Sequence, residues 1–330
     1  MSAEFFRRHP TRREFLTLGT GVFVFLSLPR VLRPRLTLAR RTFPVMGTIA
    51  EVQVAHADER LAQDAIDAAM RELQWVERTM TRFAPTSDIG RANLGARHDG
   101  VSVTPETAMV VEAALGWSSL TDGRFDPALG SASALWDILH RHEPPPAQDV
   151  APFAARGFWR KVDVATRQGV PHLRFDDPDL QLDLGAIAKG YGVDRATAVL
   201  RSRGIAHAIV TVGGDLYALG GSPDGGPWQV GIRDPHNHAA LAGRLEVADR
   251  AVATSGDYER YFEWHGTRYH HLMDPATAAP RRTAVHSNTV LGSTCMNADA
   301  AATATFGMPH DVALQLVRRK LADAEVIPLT

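Results

Sequence analysis

"LDLGAIAKGYGVDRA", residues 182–196, is the stretch on which the fold turns. Gly185, Gly190 and Gly192 bracket one lysine, Lys189, as if to cradle a phosphate. A Walker A loop needs Gly-Lys followed at once by Ser or Thr. Here the lysine precedes its glycine and Tyr191 comes next, so the stretch is not a nucleotide triphosphate loop. It reads instead as a short strand, "LQLDLG" (180–185), turning into a helix from Ala186 to about Arg203.

Downstream, "HAIVTV" (207–212) is a buried strand that runs into Gly213-Gly214-Asp215. Further strands follow in "WQVGI" (228–232), "GRLEVA" (243–248) and "AVATS" (251–255). "ERYFEWHGTRYHHL" (259–272) is a hairpin signal, two β-rich runs around His265-Gly266. Upstream, "TIAEVQV" (48–54) alternates as a half-buried strand does. From Asp58 to Phe83, the series Leu61, Ala65, Ala69, Leu73, Val76 and Met80 marks one face of a long helix. Thr104-Pro105 starts another helix, which Gly123 closes. "PPP" at 144–146 opens a connection expected to stay irregular to about residue 179, and two tail helices are expected at 298–307 and 310–322. Strands and helices intermix without a regular βαβ beat, so the fold class is α+β.

Composition is that of a globular protein, with 45% hydrophobic and 22% charged residues. The net charge of −1 hides an asymmetry: residues 1–39 hold seven Arg and two Glu, and the remainder 29 basic against 35 acidic side chains. A mildly acidic body argues against sequence-independent nucleic-acid binding. The single cysteine, Cys295, excludes an intrachain disulfide and a multi-cysteine metal site. In the first 39 residues, Arg12-Arg13 stands directly before an apolar run from Phe15 to Leu28. That run is short for a membrane span and suits a signal-peptide core. The pattern resembles a twin-arginine export signal, which predicts a periplasmic protein. The expected division is a leader, 1–39, and one catalytic domain, 40–330. An uncleaved leader would keep the protein beside the membrane.

Asp299 and Thr303 lie four apart in "NADAAATATFG", so a helix puts a carboxylate and a hydroxyl on one face, where they can share a hard cation. Asp183 ends a strand before a Gly-rich turn, a place where acids either face ligands or cap helices. His271 and Asp274 in "YHHLMDP" follow a hairpin strand. None of these signals decides a function singly.

In order, they resemble one family. "FPVMGTIAEVQV", "MTRFAPTSDIGRAN", "GRFDPALG", "LDLGAIAKGYGVD", "VTVGGDLYALG", "WQVGIRDP", "VATSGDYERYFEWHGTRYHHLMDP" and "STCMNADAAATA" are similar to blocks of the ApbE family of FAD:protein FMN transferases. The resemblance implies a T-fold-like α+β domain that binds FAD and Mg²⁺. It also implies transfer of FMN to a Ser or Thr of an acceptor flavoprotein, with release of AMP. Carried over by position, Met46, Phe83, Asp126, Ala128, Leu129, Asp183, Lys189 and Leu272 border the FAD site. Ala186 through its carbonyl, with Asp299 and Thr303, would hold the metal. His271 and Asp257 would be the catalytic residues, His271 taking the acceptor's proton.

Three positions depart from the family pattern. Ala278 replaces a turn glycine, which predicts a loop of different shape after Asp274. Asn297 stands where an acid is common, predicting less charge near the metal, and Ala302 replaces an acid that some members carry. An FAD pyrophosphatase and a non-catalytic FAD-binding protein are the alternatives. Release of AMP with and without an acceptor separates all three.

Overall fold

The computed structural model describes residues 22–25 and 36–330, apart from 98 and 238. Thr37–Val45 (β1) and Thr48–His56 (β2) pair antiparallel along their whole length. Their two-residue turn is Met46-Gly47, both with positive φ (54° and 67°), the backbone twist that tight hairpins favour. The other strands of this sheet are Ala208–Val212 (β3), Asp215–Leu219 (β4), Arg250–Gly256 (β5), Ser287–Gly292 (β6) and Glu325–Leu329 (β7). All seven are antiparallel and lie side by side in chain order, β1 to β7. Helical excursions between them give the intermixed sequence pattern without any parallel crossover in this sheet.

One face of the sheet carries the helices Glu59–Met80 (α1), Pro105–Leu120 (α2), Ala188–Ser202 (α3) and Cys295–Ala304 (α4). Ala62, Ile66, Leu73 and Val76 of α1 join Val52 and Val54 of β2, and the alanines of α4 join Ala251 and Ala253 of β5, in one core. The other face, through Ile209, Leu216, Val252 and Leu291, meets the apolar side chains of strands Trp228–Arg233 and Leu241–Val247. The register brings three turns to one rim: Met46-Gly47, Gly213-Gly214 and Gly256-Asp257. That rim also receives the start of α3.

Several expectations shift. "LQLDLG" forms no strand, only a single bridge from Gln181 to Leu129. Its backbone is satisfied elsewhere: Leu182 exchanges two hydrogen bonds with the Asn93 amide (2.8 and 2.9 Å), and Asp183 N–H donates to the Pro127 carbonyl at 2.7 Å. The segment expected to be irregular contains the hairpin Val162–Arg167/Val170–Phe175, turning on Gln168-Gly169 with φ of 50° and 80°. Its largely half-buried and exposed side chains give no strong alternation to read. The tail helices are Cys295–Ala304 and His310–Val317, the first beginning three residues early because its cap comes from elsewhere in the chain. β1 begins at Thr37, so the folded domain starts inside the segment assigned to the leader. Val22–Phe25, within the apolar run, pairs antiparallel with Trp228–Arg233. The rest of the expected leader up to residue 35, Arg12 and Arg13 included, lies outside the described residues.

Candidate active site

Lys189 is in the first turn of α3, and its ammonium sits between two buried carboxylates. Nζ lies 2.6 Å from Asp215 Oδ2 and 2.9 and 3.0 Å from the two oxygens of Asp299. The Asp215 and Asp299 side chains are 1% and 4% exposed, so neither charge is screened by water. Burial pushes the Asp215 carboxyl up to about 7, the charge of Asp299 adds to the push, and Lys189 opposes it. Burial would lower the Lys189 ammonium, but the two carboxylates outweigh it and hold it above its usual range. Two acids facing one base leave the cluster short of positive charge.

The other groups expected at the metal lie alongside. Asp299 and Thr303 share one face of α4, and Thr303 Oγ1 is 2.9 Å from Ser255 Oγ of β5. Gly190 N–H would close a helical turn on the Ala186 carbonyl, but it donates to Asp299 Oδ2 at 3.1 Å instead. Among the described residues, the Ala186 oxygen therefore has no hydrogen-bond donor. A carbonyl without a donor, a buried carboxylate and a hydroxyl, beside a deficit of positive charge, fit a hard divalent cation. Asn297 Oδ1 accepts from Trp117 Nε1 at 3.0 Å and Nδ2 donates to Thr294 Oγ1 at 3.0 Å. Ala302 is buried in the core.

Among the described residues, His271 and Asp257 have different hydrogen-bond partners. His271 Nδ1 is 3.4 Å from the Arg260 carbonyl, which leaves Nε2 as the proton acceptor if Nδ1 carries the hydrogen. Burial, then the nearby Arg260 charge, pushes the His271 imidazole down to about 3, so it is neutral at pH 7. Asp257 is instead 2.7 Å from His286 Nδ1 and 3.1 Å from Arg268 Nη1. The register explains the contact with His286: Gly256 pairs with Ser287, so the next residues out, Asp257 and His286, face each other across the strand ends. Leu272 is buried, its N–H donating to His270 Nδ1 at 3.2 Å.

The remaining residues form a second group. Arg82 joins it: Nε is 3.0 Å from Asp183 Oδ2, Nη1 donates to the Gly130 carbonyl at 3.0 Å, and the guanidinium lies over the Phe83 ring. Phe83 is 81% exposed, an aromatic face left open to a ligand or partner. Asp183 both pairs with Arg82 and accepts from Gly185 N–H at 2.9 Å, closing the turn before α3. Asp126 accepts from the N–H groups of Ala128 and Trp159 at 2.9 and 3.3 Å, and burial pushes it up to about 6. Ala128 and Leu129 are buried beside it. Met46 stands on its left-handed turn, its N–H donating to Glu77 Oε1 at 2.6 Å.

The loop after Asp274 keeps the glycine conformation without the glycine. Ala278 has φ 53°, its N–H donates to the Asp274 carbonyl at 2.7 Å and its own carbonyl accepts from Trp136 Nε1 at 2.8 Å. These two bonds hold the turn in a left-handed state that costs an alanine about 1–2 kcal/mol. Asp215 and Arg82 went unread as site residues. "GGD" signalled a close backbone approach, yet nothing local says that its aspartate meets Lys189.

The ApbE family model matches residues 46–327. An FAD:protein FMN transferase of Vibrio cholerae is 33% identical over 291 residues, 87% of this chain and 84% of the relative. One of Treponema pallidum is 33% identical over 303 residues, covering 87% and 83%. Among solved structures, the ApbE protein of Thermotoga maritima superposes with a TM-score of 0.79 at 27% identity, covering 88% of this chain and 94% of that one. The flavin transferase ApbE of Vibrio cholerae does so with a TM-score of 0.76 at 29% identity and the same coverage.

Proposed function

The chain belongs to the ApbE family, and from that premise we propose that it is an FAD:protein FMN transferase. FAD is the substrate and a Ser or Thr hydroxyl of an acceptor flavoprotein receives FMN. The observation that carries the chemistry is Lys189 between Asp215 and Asp299, beside the Ala186 carbonyl and Thr303. We assign Mg²⁺ to Ala186, Asp299 and Thr303. When bound, it offsets the negative charge of the pyrophosphate and of the departing phosphate.

The chain's own groups do the rest. Lys189 supplies a fixed positive charge, held in place by Asp215. His271 is neutral at pH 7, and Nε2 takes the hydroxyl proton as the acceptor oxygen bonds to the phosphorus on the riboflavin side. The P–O bond to the AMP phosphate breaks, and AMP leaves. Arg82, Phe83 and the 126–129 segment form a half-open surface suited to an aromatic ring system. We also propose export by the twin-arginine route to the periplasm, supported by Arg12-Arg13 and the apolar run behind them.

The test is incubation with FAD, Mg²⁺ and candidate acceptor proteins. Transfer gives AMP only with the acceptor, together with an FMN mass gain on one Ser or Thr. If the acceptor and its Ser/Thr→Ala control gain the same mass, or AMP forms equally without acceptor, the transferase reading fails.

A further inference from the structure

The head of α4 is capped from another helix. Thr294 holds the N-cap position, with φ −133° and ψ 139°, but its hydroxyl makes no capping bond; it accepts from Asn297 Nδ2 at 3.0 Å. The N–H groups of Cys295 and Met296 donate to Oδ1 and Oδ2 of Asp194, at 2.8 and 2.9 Å. A helix start has unpaired N–H groups and a partial positive charge, so a carboxylate there is favourable. A local threonine can serve that need at many helices. Supplied by α3, the cap becomes a tie between the helix of Lys189 and the helix of Asp299.

The same face of α3 makes two further ties. Gly190, one turn before Asp194, approaches α4 so closely that a Cβ there would lie 2.3 Å from the Cys295 carbonyl oxygen. Its N–H donates to Asp299 Oδ2 at 3.1 Å. At the far end of α4, the buried Arg281 guanidinium donates to the Thr303 and Phe306 carbonyls at 3.2 and 2.9 Å. An anion at the N-terminus and a cation at the C-terminus both oppose the helix dipole. Both come from outside the helix, so both set where it sits.

We propose that Asp194 is a positioning residue: by capping α4 from α3 it sets Asp299 and Thr303 against Lys189 and the Ala186 carbonyl, and so builds the metal's oxygen set. This rests on the metal-dependent reading above. Asp194 touches neither the reacting groups nor the assigned ligands and acts through the placement of α4.

The experiment separates placement from helix stability. Asp194→Ala removes the tie. Asp194→Ala combined with Thr294→Asp returns a cap from within α4 but leaves the helices untied, since Thr294 already has N-cap dihedrals. Melting temperatures are measured across an Mg²⁺ titration, without acceptor. Wild type is expected to be stabilised by Mg²⁺ with a defined midpoint. Asp194→Ala is expected to melt lower and to need at least tenfold more Mg²⁺. The double variant is expected to regain its metal-free melting temperature while its Mg²⁺ midpoint stays displaced. A double variant with both quantities restored, or an Asp194→Ala protein with the wild-type midpoint, overturns the proposal. If Asp194→Ala does not fold, Asp194→Asn, which keeps one accepting oxygen, is expected to shift the midpoint at least threefold, and an unchanged midpoint overturns it. A wild-type protein indifferent to Mg²⁺ overturns the metal reading and this inference with it.

Discussion

Replacing Lys189 by methionine keeps the length of the side chain and removes its charge. Asp215 and Asp299, with side chains 1% and 4% exposed, then face each other without the ammonium 2.6 and 2.9 Å away. Removing one partner of a buried ion pair costs about 3–5 kcal/mol, because the remaining charge stays desolvated. Total stability is about 5–15 kcal/mol, so the loss is a large fraction of it. For a domain of this size it corresponds to a melting temperature lower by roughly 6–20 °C. The sign with pH follows from Asp215, whose folded value is raised to about 7 from 3.8 even with Lys189 present. An acid raised in the folded state contributes stability that is complete below its unfolded value and is lost as pH rises through the folded one. Without the ammonium that loss grows, so the penalty is greatest above pH 7 and shrinks at pH 5.5, where the pair holds a proton. Asp215→Asn added to Lys189→Met leaves a single buried carboxylate and is expected to recover much of the loss at pH 7.5. Thermal melts of the three proteins at pH 5.5 and 7.5 check this. A Lys189→Met protein melting within about 2 °C of wild type at pH 7.5, or one equally destabilised at both pH values, refutes the charge argument.

His271→Ala is expected to slow transfer by ~10²-fold, read from acceptor flavinylation in single turnovers; a rate within a few-fold of wild type removes His271 as the base. His270 and His271 are pushed down to about 4 and about 3, so the stability they contribute is complete above pH 6.5 and is lost as pH falls through those values. His271→Gln should therefore melt closer to its neutral-pH temperature at pH 5 than wild type does, and an identical acid loss would contradict the buried neutral imidazole. Ala278→Gly relieves a φ of 53° and is expected to stabilise by up to ~1 kcal/mol in denaturant melts; a destabilised variant would mean that the buried methyl outweighs the strain. Arg12→Lys with Arg13→Lys should leave the protein in the cytoplasmic fraction, and unchanged delivery to the periplasm would remove the export proposal.

The parts of the fold legible in sequence were those that repeat a local rule. The α1 stripe, the Thr104-Pro105 helix start and the His265-Gly266 hairpin turn all depend on neighbours a few residues away, and the structure keeps each of them. "LQLDLG" misled because its pattern is that of a strand, while its backbone partners are an amide from Asn93 and a loop carbonyl from Pro127. Such partners leave no periodicity behind. The site divides in the same way. Asp299 and Thr303 were readable from their spacing on one helix. Lys189 took its place at the site from the family resemblance, and the carboxylates that hold it are known only once the chain folds.

Asp215 shows why. It follows Gly213-Gly214 at the start of β4; Lys189 lies 26 residues before it and 110 residues before Asp299, so no local pattern ties the three together. The antiparallel register is what joins them: β4 pairs with β3 on one side and β5 on the other, so its first residue arrives at the rim where α3 begins and α4 lies across β5. Two acids then converge on one base. A protein selected only for stability would do better with an apolar cluster there, since burying ions is costly. On the proposed reading, the surplus negative charge is one half of a site whose other half is a cation and the pyrophosphate of FAD.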